Sequence, residues 1–213
     1  FPDSDMPPAA VRIDGALRPS GLVLNLRTDG MGTSPATGTV SLPLSFSASG
    51  VPTLPLNKPF NGSLSWEGAL ASLWRFVPLA NASLTGQGSL SVLLSGTLAA
   101  PDLSASLRIE NAVFEEVLVG LALSDINASA SLRSGGLSRV SLSATDGQGG
   151  AVGLNGTIGP LASGFPLALH GTISELSPLH RNDLSITLSG TADIVGPLVS
   201  PDVRAAITVN KGQ

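Results

Sequence analysis

The stretch Leu84–Ile158 reads LTGQGSLSVLLSGTLAAPDLSASLRIENAVFEEVLVGLALSDINASASLRSGGLSRVSLSATDGQGGAVGLNGTI. Leu84, Gly86, Gly88, Leu90, Val92, Leu94, Gly96 and Leu98 share one parity, and Ser, Thr or Gln holds most places between them. After Pro101-Asp102 the alternation resumes with Leu103, Ala105, Leu107 and Ile109, then with Ile126, Ala128, Ala130 and Leu132. Val140, Leu142 and Ala144 follow, and then Val152, Leu154, Gly156 and Ile158. A period of two sends successive side chains to opposite faces of a pleated strand. The stretch therefore predicts a row of strands with one aliphatic face and one hydroxyl face.

The composition fits an unusual core. Hydrophobic residues make up 42 %, yet aromatics are 4 % and Tyr is absent, so Leu, Val, Ile and Ala must do the packing that rings usually do. Charged residues, at 12 %, are about half the usual share. A net charge of −4 with no basic run in the sequence argues against nucleic acid and anionic membrane surfaces as partners. The chain has no Cys, which excludes disulfides and thiolate metal sites. It contains no uninterrupted apolar run long enough for a membrane-spanning helix. It opens at Phe1 without Met, and its last strand pattern stops abruptly, so it reads as an internal or near-C-terminal piece of something longer.

Outside the central stretch, Phe1–Arg12 reads as a polar lead-in. Strand patterns follow at Leu22–Leu26 and Val40–Phe46, and Pro43, Pro52, Pro55 and Pro59 mark an edge or linker, since proline gives no ladder hydrogen bond. Residues 1–59 thus form lead-in strands and a Pro-rich linker of the same array, and 60–213 forms its main body. One helix is predicted, over Glu67–Val77, where Leu70, Leu73, Trp74 and Val77 fall on a single helical face. It reads as a plug over part of the aliphatic face. Strands resume with Leu167, Leu169 and Ile173, then Ile186 and Leu188. Gly96–Asn111 and Gly196–Lys211 repeat one another, each a strand end, a Pro-Asp turn and a new strand, as an array would. The residues predicted to line the aliphatic face are Leu90, Val92, Leu94, Leu98, Leu107, Ile109, Leu132, Leu142, Leu154, Ile158, Leu169, Ile173, Ile186, Leu188, Ile207 and Val209.

Chemistry-bearing motifs are few. His170 and His180 lack a third ligand at metal spacing. No G-x-S-x-G elbow accompanies the serines, and Glu115-Glu116 are sequential, so they point apart on a strand. Asp146–Gly150, DGQGG, lacks the repeated acids of a calcium loop and the Gly-Lys-Ser/Thr of a phosphate loop, and it suits a hairpin turn. Four Asn-x-Ser/Thr matches, at Asn61, Asn81, Asn127 and Asn155, carry little information in a chain this rich in Ser and Thr. The residues point to no enzyme, no metal and no cofactor.

Four segments resemble the TamB family of envelope proteins, which bridge the two membranes beside the outer-membrane barrel TamA. They are GSLSWEGALASLWRFVPL, LTGQGSLSVLLSGTLAAPDLSASLRIENAVFEE, ATDGQGGAVGLNGTI and HRNDLSITLSGTADIVGPLVSPDVRAAITVNKG. Trp66, Leu73-Trp74, Pro78-Leu79, Gly96–Pro101, Thr145-Asp146-Gly147, Gly149-Gly150 and Arg181-Asn182-Asp183 carry most of the likeness, and Phe1–Pro59 carries little. The resemblance implies an all-β fold, an elongated sheet curled into a taco-like groove with an aliphatic interior. It implies a periplasmic segment of a Gram-negative protein anchored in the inner membrane, working with a TamA-like barrel. Its cargo would be phospholipid acyl chains moving between membranes, or unfolded barrel strands guided in a chaperone-like way. An aliphatic face without charge or aromatic platforms suits acyl chains on physical grounds, since they need only a dry surface. A closed β-solenoid serving as an adhesin-type spacer is the rival. A carbohydrate-active β-helix is a poorer one, for want of platforms and paired carboxylates.

Overall fold

A computed structural model describes residues 10–30, 35–47, 49–74, 77, 79, 81–118, 120–160, 163–179 and 186–212. Strand alternation is realised almost throughout. The elements are β1 Ala10–Arg18, β2 Gly21–Asp29, β3 Thr37–Leu42, β4 Ser45–Phe46, β5 Pro52–Thr53, β6 Asn61–Ala69 and α1 Ala71–Trp74. There follow β7 Ala82–Thr97, β8 Ala100–Glu116, β9 Leu121–Arg133, β10 Ser138–Thr145, β11 Ala151–Ile158, β12 Pro166–Leu176, β13 Ile186–Pro197 and β14 Asp202–Gly212. Among the described residues, twelve strands form one open antiparallel sheet in the order β1-β2-β3-β6-β7-β8-β9-β10-β11-β12-β13-β14, and β4 pairs with β5 apart from it. The sheet does not close, so β1 and β14 are its free edges.

In such a meander successive turns fall at opposite ends of the strands. One rim carries the β1–β2, β7–β8, β9–β10, β11–β12 and β13–β14 turns together with the β4–β5 hairpin. The other carries the β2–β3, β8–β9, β10–β11 and β12–β13 connections and α1.

Serine and threonine on the polar face pair across strands. Ser129 and Ser141 hydroxyls lie 2.8 Å apart, Thr37 and Ser65 3.1 Å, and Ser177 and Thr187 2.8 Å. Each such pair adds a few tenths of a kcal/mol, about 0.2–1, to a sheet with few large side chains.

The ladder is interrupted along a line near the second rim. Register shifts occur in the β7–β8 pair between Thr85 and Gln87, in β8–β9 after Ile109, and in β9–β10 at Ser143/Thr145. They recur in β12–β13 after Ile173 and in β13–β14 at Thr187/Leu188. Asn111, Asp125 and Glu175 adopt φ of 49°, 49° and 44° at these points. Gly86 adopts φ 117°, and a Cβ there would stand 2.5 Å from the Ala112 backbone, so only glycine fits. A bulge bends its strand and increases the local twist.

Three expectations need correction. The helix is one turn, Ala71–Trp74, rather than Glu67–Val77. Glu67 and Ala69 are strand residues opposite Ser89 and Gln87, because ladder bonds to a waiting neighbour win over helical periodicity. The second early strand stops at Leu42, one residue short of Pro43, and β3 lies inside the sheet between β2 and β6, so it is no edge. Ala10–Arg12 of the predicted lead-in belong to β1. Phe1–Ala9, Phe76, Pro78, His180 and Arg181–Asp183 lie outside the described residues.

Candidate functional site

Cross-strand partners share a face, so the register fixes which side chains lie together. One row runs Trp66–Leu90–Leu107–Ala130–Val140–Gly156–Leu169–Ile194–Val203. The next aliphatic row runs Gly68–Gly88–Ile109–Ala128–Leu142–Leu154–Gly171–Ala192–Ala205. Val92 shares a row with Leu132 through Ala105, Ile158 pairs with Leu167, and Ile173 meets Ile207 through Gly190. Leu188 faces Val209 and Ile186 faces Gly212. Leu98 is the exception among the predicted residues: it sits in the β7–β8 turn, off the strands.

This face has little cover. Its densest packing is a cluster of Ala36, Trp66, Leu70 and Ala112, with Leu73, Leu84, Leu90, Ile109 and Ile126 against it. Trp66 and Leu70 lie over Gly88, where a Cβ would come within 2.7 Å of Leu70 and 3.1 Å of the Trp66 ring. Glycine at that point makes the depression into which the chain from Leu70 onward settles. The Leu70 N–H donates to the Gly86 carbonyl at 3.0 Å, and the Trp74 indole N–H donates to the Ala82 carbonyl at 2.8 Å. Trp74 meets Phe114 edge to face at 5.8 Å. Leu73 and Trp74 are half-buried, whereas Val77 is exposed. The strap covers the face only near the second rim, over β6–β9.

Toward the first rim the face opens into an apolar concavity of about 350 Å³, floored by Ile13, Leu24, Leu26, Val40, Leu64, Val92 and Leu94. Ile13, Leu64 and the depth of this hollow escaped the sequence reading, because the strand patterns before Phe60 are short and broken by Gly and Pro. The pairing of Gly68 with Gly88 was the signal that something bulky lies over Gly88.

The polar candidates sit elsewhere. His170 Nδ1 lies 2.7 Å from Asp193 Oδ1, both more than half exposed on the hydroxyl face. Among the described residues no cluster of His, Asp or Glu could hold a metal, and no helix is long and apolar enough to cross a membrane.

The C-terminal part of the sheet resembles a known family. Residues 138–213 match the TamB C-terminal domain. The matched segment starts at the first residue of β10 and runs through β14, consistent with a TamB-family fragment, a family of the bacterial envelope. No curated protein and no solved structure matches the chain.

Within the matched segment, the DGQGG turn joins β10 to β11 and ties them to the end of β12. Asp146 is 3 % exposed. Its carboxylate accepts the N–H groups of Gln148 at 2.8 Å, Gly150 at 2.9 Å and Ser177 at 2.6 Å. Burial works to raise its pKa, but the Ser177, Gln148 and Gly150 N–H groups together hold it below the usual carboxylate value. A depressed carboxylate stabilises the fold above its unfolded pKa, and that contribution fades as pH falls through the folded value. Asp146→Asn should therefore cost about 1–3 kcal/mol at neutral pH and show a smaller further loss than the parent below about pH 4. Urea melts of both proteins across acidic pH check this, and parallel pH profiles would refute it.

Proposed function

We propose that this chain is a non-catalytic periplasmic segment whose aliphatic face, curled into a groove, shields apolar cargo, namely phospholipid acyl chains passing between the inner and outer membranes. The observation that carries the reading is the largely uncovered aliphatic face running from β1 to β14, with an apolar hollow at one end. The line of bulges supports curling, since bulges and glycines are the devices by which sheets are bent on purpose. An acyl chain needs dry surface and no hydrogen-bond partner, and this face offers that surface. In the full-length protein, a TamA-like barrel would stand at the outer-membrane end of such a groove.

A second reading, guidance of barrel strands, draws support from β14. Val203, Ile207 and Val209 on this free edge are 59 %, 54 % and 61 % exposed, and an unpaired edge is a template for another strand. Mass spectrometry of an organic extract of the purified protein separates the two. The acyl-chain reading expects co-purified phospholipid that exchanges with added lipid. An extract empty of lipid, from protein prepared without detergent, would overturn it in favour of strand guidance or a closed spacer.

A further inference from the structure

We infer that the β4–β5 hairpin is an interfacial anchor that docks the first rim on an anionic phospholipid bilayer. Four large apolar side chains crowd this short excursion: Phe46, Val51, Leu54 and Leu56 are 56 %, 55 %, 49 % and 61 % exposed. Water-facing side chains of this size in one small element are not an accident of composition, because a folded chain gains by hiding them.

The hairpin is built to hold them out. The Ser47 N–H donates to the Val51 carbonyl and the Gly50 N–H to the Ser47 carbonyl, each at 2.9 Å, closing the tip. Its root is pinned to the sheet. The Ala99 N–H donates to the Leu56 carbonyl at 3.0 Å, and the N–H of buried Phe60 donates to Gly96 at 3.0 Å. A rigid root under an apolar tip loses little conformational freedom on docking.

Charge selects the occupant. From Gly30 to Trp66 the chain has no Asp or Glu, and its single charge is Lys58, at the root. Lys58 Nζ donates to Ser45 Oγ at 3.4 Å. Arg18, at the end of β1, lines the same cleft as Pro43 and Pro59, which flank the hairpin. The topology thus sets Arg18 beside Pro59, the residue after Lys58, and this rim departs locally from the whole-chain negative charge that argues against anionic membrane surfaces. An apolar tip with a cationic collar suits the boundary between acyl chains and phosphates, where aliphatic groups sink in and Lys and Arg reach the headgroups. A protein partner would instead want a broad patch with a polar rim, and a hairpin with two-residue strands offers none. The neighbouring tips on this rim agree: Leu137 and Val199 are 71 % and 92 % exposed.

The inference does not depend on what the aliphatic face carries, and vesicle flotation tests it. The chain should float with phosphatidylcholine vesicles containing about a third phosphatidylglycerol, less with phosphatidylcholine alone, and several-fold less at high salt. Phe46→Ser with Leu56→Ser should cut binding to the mixed vesicles at least about tenfold, with an unchanged circular dichroism spectrum because both side chains are exposed. Lys58→Glu with Arg18→Glu should abolish the preference for anionic vesicles. Since the chain has no cysteine, an environment-sensitive dye on Ser49→Cys should shift to the blue on vesicles, and one on Asn155→Cys should not. No flotation, flotation indifferent to Phe46→Ser with Leu56→Ser, or a shift at position 155 alone would overturn the inference. So would self-association that depends on Phe46 without vesicle binding, which would make the hairpin a protein contact.

Discussion

Trp66→Ala lowers stability by about 3–5 kcal/mol, the range for removing a large buried ring, and the guanidinium midpoint falls accordingly. The magnitude follows from how little else is buried. Trp66 is 6 % exposed and sits among Leu70, Ala112, Leu90 and Ile109, the densest packing on a face otherwise half open. The Gly68–Gly88 pairing leaves a hollow under the ring that no neighbour can fill once the ring is gone. The same change releases the strap, so Trp74 emission should move toward that of a solvated indole. A loss below about 1 kcal/mol would mean that the ladder alone holds the sheet and that the cluster contributes little.

The second large effect is on cargo. On the acyl-chain reading proposed above, Leu142→Asp should leave the chain folded, at a cost of about 1–3 kcal/mol, while abolishing lipid binding. Leu142 is half-buried at the middle of the aliphatic face, level with Ile109 and Leu154. The sheet is open, so water can solvate the new carboxylate. In a sealed core the same carboxylate would be stranded at a cost of several kcal/mol and would unfold the domain. Circular dichroism with lipid extraction therefore gives distinct outcomes. A folded, empty variant supports the groove, an unfolded one supports a closed spacer, and a folded variant with its full lipid load removes this segment from transport.

Much of the sheet was legible in the sequence because a period of two is a strong signal when repeated. Leu142 and Leu154, or Ile173 and Ile207, were assigned to one face from parity alone, and the register places them there. The helix was overdrawn because LASLWRFV has helical spacing, whereas Glu67 and Ala69 had ladder partners that no local pattern reveals. The apolar hollow depends on Ile13, Leu26, Val40, Leu64 and Val92 meeting across five strands, and proximity of that kind is not written in any single window. The cationic root of the hairpin was invisible for the same reason: Arg18 meets Pro43 and Pro59, which flank the hairpin, only through the topology.

The row of bulges has another consequence. A chain whose strands are all Leu-Ser or Val-Thr alternation is nearly degenerate under a slip of two residues, because the same face stays apolar and most pairs look alike. Asn111, Asp125 and Glu175 break that degeneracy, with Gly86 the single residue opposite Asn111 and Ala112. Each of the three non-glycine residues stands where two residues on one strand oppose a single residue on the next, and a slipped strand would put its kink against a regular ladder. The interruptions thus act as alignment pins, and a chain stripped of them should fold into a mixture of shifted sheets rather than one.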